Sequence, residues 1–138
     1  MTTLLNVPIT AAIGTPLVSP TFQIENPAVL NLGVLFDFTY TSGGASVDAY
    51  LQTSFDGGTT WMDIAQMHAA TVALLEAYNL SSITPKTTAV VPSDGSLAAN
   101  TSVDGLLGPI YRVKYKSSGT YVGANLRVDV AAAARLQD

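Results

Sequence analysis

The chain has 138 residues, a formal net charge of −4 and no cysteine, which suits one domain with a sizeable core and excludes disulfides, thiolate zinc sites and cysteine nucleophiles. Hydrophobic residues make up 48% and charged residues 12%, about half the roughly 25% of an ordinary soluble domain. So few charges point to a surface covered in part by copies of the chain or by a partner.

The first charged residue is Glu25. The uncharged stretch before it is not a membrane helix, because Pro8, Pro16 and Pro20 interrupt it and threonines dilute it. It also lacks the basic n-region of a secretory signal, so synthesis in the cytoplasm without a membrane anchor is expected. An extended N-terminal arm over residues 1–14 is expected to lie across a neighbouring subunit, the alternative being that both ends fold back onto their own sandwich. Pro16 and Pro20 make Thr15–Ile24 an edge strand or a clamp along one. The Ala131–Ala134 run near the other end is small enough for close approach.

Between the ends, alternation dominates. Val34, Phe36, Phe38 and Tyr40 share one face, and Val47, Ala49 and Leu51 share another opposite Ser46, Asp48 and Gln52. Tyr111, Val113 and Tyr115 alternate with Arg112, Lys114 and Lys116; Leu126, Val128 and Val130 alternate with Asn125, Arg127 and Asp129. Period two with aromatic and β-branched residues marks half-buried strands. Turn residues separate the runs at Ser42-Gly43-Gly44, Asp56-Gly57-Gly58, Ser93-Asp94-Gly95, Asp104-Gly105 and Ser117-Ser118-Gly119. The expected fold is a single all-β domain over 1–138, an antiparallel β-sandwich of jelly-roll type. His68–Leu80 reads equally as a short helix or as a strand continuing from Trp61–Gln66. The turn-rich region Ser81–Pro109 holds one expected strand, Thr87–Val91.

Catalytic signatures are nearly absent. His68 is the single histidine, and no G-x-S-x-G elbow accompanies it. There is no G-x-G-x-x-G, no G-x-x-x-x-G-K-[ST] and no H-E-x-x-H. Asp48, Asp56 and Asp63 are expected on different sides of one hairpin and lack calcium-loop spacing. No cofactor and no metal is expected. Arg112, Lys114, Lys116 and Arg127 are candidates for a small basic interaction patch, with an ordinary solvated face as the bland reading. The acidic balance argues against nucleic acid: residues 1–85 hold six acidic and no basic side chains, and residues 86–138 hold six basic and four acidic ones.

The sharpest local pattern is Ser54-Phe55-Asp56-Gly57-Gly58-Thr59-Thr60-Trp61, which matches the S-x-D-x-G-x-T-W Asp-box of sialidase-type propellers. A propeller needs several copies, and this chain has one. Ser54, Asp56, Gly58, Thr60 and Trp61 are therefore read as a structural hairpin. The Asp accepts hydrogen bonds from the turn backbone, the Gly supplies positive φ, and the Trp packs beneath.

Ser46–Ala65 (SVDAYLQTSFDGGTTWMDIA) and Asp104–Val130 (DGLLGPIYRVKYKSSGTYVGANLRVDV) together resemble small virion structural proteins of tailed bacteriophages and related gene transfer particles. That resemblance covers roughly a third of the chain directly. It implies a non-catalytic β-sandwich subunit of the virion, made in the host cytoplasm, that decorates or cements the capsid. Its implied partners are the major capsid protein or other virion subunits, and further copies of itself. Two other readings stay open. One is a carbohydrate-binding module of a tail or head fibre, with Tyr40, Tyr50, Tyr78 and Tyr121 as stacking candidates. The other is a small glycoside-acting enzyme with paired carboxylates.

Overall fold

The computed structural model describes residues 2–24 and 29–134, and its regular structure is strand throughout. The strands are β1 (Thr2–Ile9), β2 (Ile13–Val18), β3 (Phe22–Gln23), β4 (Val29–Thr39), β5 (Ser42–Gly43), β6 (Ser46–Ser54), β7 (Met62–Ala69), β8 (Leu74–Ser81), β9 (Ile110–Ser118), β10 (Tyr121–Val122) and β11 (Ala124–Ala134). Sheet A runs β1-β11-β4-β8. Sheet B runs β2-β9-β6-β7, with β3 also on β9. All pairings are antiparallel. With β2 and β3 taken as one broken strand, and the short β5–β10 pair as a corner, the chain alternates between sheets as a jelly roll does.

The alternating runs supply the core. Leu32, Val34, Phe36 and Phe38 of β4 and Leu126, Val128 and Val130 of β11 face inward from sheet A. Val47, Ala49 and Leu51 of β6 and Tyr111, Val113 and Tyr115 of β9 meet them from sheet B. At one end of the sandwich Tyr121 packs edge-on against Phe38, with ring centroids 5.6 Å apart, and its hydroxyl donates to the Ala70 carbonyl at 2.8 Å. The Tyr121 ring lies where a side chain at position 44 would stand, so the second glycine of the Gly43-Gly44 turn is required by packing as well as by its φ of 74°.

Two expectations are corrected here, and one that was open between helix and strand is decided for strand. The N-terminal arm is not an arm over its described part, since β1 pairs with β11 from Thr2 to Ile9 and buries Leu4, Leu5 and Ile9 in the chain's own core. Met1 lies outside the described residues. An uncharged opening segment satisfies its apolar side chains at home once Pro8 sits in an edge strand. His68–Leu80 contains no helix: β7 ends at Ala69 and β8 starts at Leu74, because alternate burial of Leu74, Tyr78 and Leu80 along sheet A outweighs helix propensity. Thr87–Val91 is not a strand.

Thr15–Ile24 does form a sheet edge, through β2 and β3 on β9. Between them Ser19 replaces regular pairing. Its amide donates to the Val113 carbonyl at 2.8 Å and its Oγ accepts from the Val113 amide at 2.9 Å. The Ala131–Ala134 run is paired with β4 of the same chain.

One inward-facing group is out of place in the core. Glu76 stands opposite Phe36 on β8, and its Oε1 has no hydrogen-bond partner among the described residues. Burial pushes its carboxyl above the usual carboxylate range. A raised folded-state value means that the native protein holds this proton more tightly than the unfolded chain. The Glu76 contribution is then most favourable at low pH and is lost as pH rises through the folded value. Glu76→Gln is expected to raise the melting temperature at neutral pH, with the gain vanishing below about pH 4. An equal gain at both pH values in thermal melts would contradict the assignment.

Candidate functional site

The outer face of sheet B carries the densest set of polar side chains in the described structure. Register sets them in three rungs across β9, β6 and β7: Lys116–Asp48–His68, Lys114–Tyr50–Gln66 and Arg112–Gln52–Asp63. The third rung depends on a β-bulge. Leu51 pairs with Ala65 but Gln52 pairs with Asp63, which leaves Ile64 as the extra residue on β7. Asp63 shares parity with the inward-facing Ala65, Met67 and Ala69, so a regular strand would drive its carboxylate into the apolar core. The bulge re-aims it outward. This corrects the expectation that Asp48 and Asp63 lie on different sides of the hairpin.

Asp63 is nonetheless buried, at 2% exposure, because the connection from β8 to β9 folds over it. Its carboxylate accepts from the amides of Gly95 (2.9 Å), Ser96 (3.0 Å) and Leu97 (3.1 Å), from the Ser93 hydroxyl (3.1 Å) and from Gln52 Nε2 (2.8 Å). The same segment then runs along the free edge of β7. Ser93 accepts from the Asp63 amide, Thr101 accepts from the Gln66 amide, and the Val103 amide donates to the Ile64 carbonyl. Asn100, in a left-handed conformation with φ 56°, closes the second contact. Its amide donates to Gln66 Oε1 at 2.7 Å, and its Oδ1 accepts from the His68 amide at 2.9 Å.

The four residues of the expected basic patch do not come together. Arg112 donates through Nε to Gln52 Oε1 at 2.7 Å, lies over the Trp61 ring at 4.3 Å, and has Nη2 3.8 Å from Asp94. Lys114 bonds Asp94 at 2.9 Å. Lys116 stands beside Asp48 in register. Arg127 is on the opposite side of the sandwich, because β11 crosses to sheet A; there it pairs with Asp129 at 2.9 Å. The turn at Ser117–Gly119 suggested a hairpin that would keep both strands in one sheet, but Tyr121 and Val122 carry the chain around the corner through their pairing with β5.

The Asp-box hairpin is built as expected. Ser54 Oγ donates to Asp56 Oδ1 at 2.9 Å and accepts from the Gly58 amide at 2.9 Å. Asp56 Oδ1 accepts from the Thr60 amide at 2.7 Å, and the Trp61 indole donates to the Gly58 carbonyl at 2.9 Å. Gly58 has φ 95°. Trp61 is buried under Arg112. The Thr60 backbone hydrogen bond, helped by the Thr60 and Ser54 hydroxyls, lowers the Asp56 carboxyl to about 2.

The chemistry open to this face is limited by these commitments. Asp63 and Asp94 both accept from Gln52 Nε2, at 2.8 and 2.6 Å, so the face does hold two neighbouring carboxylates. Burial would raise the Asp94 carboxyl, but the Gln52 hydrogen bond and the Lys114 and Arg112 cations hold it below its ordinary value. A general acid needs the reverse. His68 Nδ1 lies 2.7 Å from Asp48 Oδ1, which also accepts from Gln66 Nε2 at 2.9 Å. Among the described residues no group of three or more potential metal ligands is gathered. Of the stacking candidates, Tyr50 and Tyr121 are buried, Tyr40 lies against Tyr121, and Tyr78 packs edge-on to Phe36 with its hydroxyl on the Gln66 carbonyl. They form no shelf.

Sequence reading singled out the hairpin but missed Gln52, Gln66, Asp94 and Asn100. Their signal is weak. Gln52 stood out only as part of a polar strand face, and Asp94 only within the turn Ser93-Asp94-Gly95. Comparison with protein-family models, with curated proteins and with solved structures gave no match to this chain.

Trp61→Ala removes a buried ring and the platform beneath Arg112, and is expected to cost about 3–5 kcal/mol in denaturant unfolding; a loss below about 1 kcal/mol would contradict the burial. Asp56 gives a pH signature of the opposite sign to Glu76. Its folded value lies below its ordinary one, so its contribution is present above the ordinary value and lost as pH falls towards 2. Trp61 fluorescence is expected to report hairpin opening in that acid range, and Asp56→Asn to flatten the transition. An unchanged acid profile in the variant would refute the role given to Asp56.

Proposed function

We propose that this chain is a non-catalytic structural subunit of a tailed-phage-type virion, decorating or cementing the capsid surface through contacts with the major capsid protein or other virion subunits. The observation that carries the reading is where the two resembling segments fall. Ser46–Ala65 forms β6, the box hairpin and the first half of β7, and Asp104–Val130 forms β9, β10 and most of β11. β6 and β9 are the inner strands of sheet B, and β11 is an inner strand of sheet A. The resemblance therefore rests on the frame of the sandwich rather than on one turn.

The disposition of side chains supports the same reading. The polar groups of sheet B are spent on holding the 93–103 segment, while exposed apolar residues sit at the ends and edges. Phe55 stands at the tip of the box hairpin, and Val72 and Val122 stand at the opposite end of the sandwich, each more than half exposed. End-on apolar contacts with few charges suit a subunit that docks on a protein lattice.

The test is cryo-EM of particles assembled with and without this chain. Difference density is expected at regular positions on the head shell, sized for a small sandwich. Density confined to the tail, or loss of the chain from purified particles, would overturn the capsid assignment.

A further inference from the structure

A β-sandwich of two open sheets has four edges, and natural proteins protect such edges against pairing. Three are protected here. β1 contains Pro8 and a register break between Thr3 and Leu5. β2 contains Pro16 and a register break between Ile13 and Leu17, and Pro20 separates it from β3. β7 is covered by the 93–103 segment, with Ala65 bridged to Ser102.

The fourth edge is β8, which has no proline, register break or covering segment among the described residues; its one charged residue, Glu76, points inward. Leu74–Ser81 pairs with β4 without a register break and holds no proline, lysine or arginine. Ser81 is capped by Asp104, whose Oδ1 accepts from its amide. Over Leu74–Leu80, among the described residues, no backbone hydrogen bond or bridge joins β8 to any strand but β4. Leu75 projects from it, 66% exposed, and Ala77 and Asn79 follow on the same outer face.

The order of residues along this edge says what fits it. Opposite residues of an antiparallel pair point to the same side of a sheet, so a strand that pairs with its own copy is tested by its own symmetry. An axis at Glu76 sets two carboxylates against each other, which is unfavourable. An axis at Tyr78 sets two phenol rings together whose hydroxyls are already held by Gln66. An axis at Ala77 places alanine on alanine and Leu75 across from Asn79 on the outer face. On the inner face it places Leu74 across from Leu80 and the half-satisfied Glu76 across from Tyr78. That register contains no like-charge contact and no large pair on the axis.

We propose that β8 pairs antiparallel with β8 of a second copy of this chain, about a two-fold axis at Ala77, and so joins two four-stranded sheets into one continuous sheet. The contact is isologous, closes after two subunits, and uses the edge that, among the described residues, no proline, register break or covering segment blocks. It also makes the outer faces of the two sheets continuous, extending the shallow depression over Gly33, Leu35, Ala77 and Ala131. It belongs to the free subunit, so its test is separate from that of the virion reading.

The native chain has no cysteine, which makes a single introduced thiol diagnostic. Opposite residues of an antiparallel pair have Cβ atoms about 4.5–5.5 Å apart, close to disulfide range. Under mild oxidation Ala77→Cys is expected to form a disulfide-linked dimer, whereas Asn79→Cys, four residues out of register with its own copy, is not. In sedimentation velocity over a concentration series, the wild-type chain is expected to show a monomer–dimer equilibrium. Ala77→Lys and Ala77→Glu, each placing like charges on the axis, are each expected to raise the dissociation constant at least about tenfold. An equimolar mixture of the two is expected to restore pairing. Residue 77 is exposed, so both variants are expected to keep the wild-type circular dichroism and melting profile, which separates lost pairing from lost folding. A wild-type chain that stays monomeric, variants that dimerise unchanged, a mixture that does not recover, or equal cross-linking at 77 and 79 would each overturn the proposal.

Discussion

The carboxylate of Asp63 governs the arrangement of one half of this molecule. A buried anion is tolerable only when donors surround it, and hydrogen bonds to charged groups contribute about 1.5–3 kcal/mol each. Three successive backbone amides, a serine hydroxyl and a glutamine amide meet that need. The chain supplies them by laying a long irregular connection over sheet B. Once Gly95–Leu97 is anchored, the segment that follows is delivered to the free edge of β7, where Thr101 and Val103 pair with the strand. One bulged residue, Ile64, thus turns an acid outward, orders a loop that has no regular structure of its own, and closes a sheet edge.

The consequence for function is a division of the surface. Sheet B looks like a reactive face in composition, with carboxylates, a histidine, three basic side chains and a tryptophan. Yet nearly every one of those groups is engaged by a neighbour in the same chain. Sheet A is plainer, with the small or apolar Gly33, Leu35, Leu75, Ala77 and Ala131 outward beside polar residues such as the Arg127–Asp129 pair, and with β8 as an edge that no segment covers among the described residues. The proposed contacts with other subunits fall on the other part of this division, at the ends of the sandwich and along β8, whereas a ligand on sheet B would first have to dismantle the network there.

Much of this was legible in the sequence. The runs Val34–Tyr40, Ser46–Ser54, Ile110–Lys116 and Ala124–Val130 alternate cleanly, and each became a strand with the expected inward set. The box residues Ser54, Asp56, Gly58, Thr60 and Trp61 act within one hairpin, so short-range pattern was enough to place them. The remainder depends on pairing between distant residues. Nothing local says that Arg127 leaves the sheet of Arg112, because sheet crossing is decided at the β5–β10 corner. Parity counting misplaces Asp63, because the bulge at Ile64 sets it out of phase with Ala65, Met67 and Ala69. The partners of Asp63 and Gln66 lie about thirty residues downstream in a loop, where composition announces turns but not what they embrace. The opening segment was misjudged for a related reason: its lack of charge signalled burial correctly, but its own β11 edge, not a neighbouring subunit, receives it.

The central claim is that Asp63 holds the 93–103 connection as a fixed part of the fold. Amide hydrogen exchange measures this directly, residue by residue, at Gly95, Ser96 and Leu97. An irregular surface loop exchanges close to the rate of an unfolded chain. If the carboxylate anchors the segment, these three amides are expected to be protected to nearly the level of the β7 amides, and Asp63→Ala is expected to release them while β6 and β9 remain protected. Rapid exchange of all three in the wild-type protein would contradict the account.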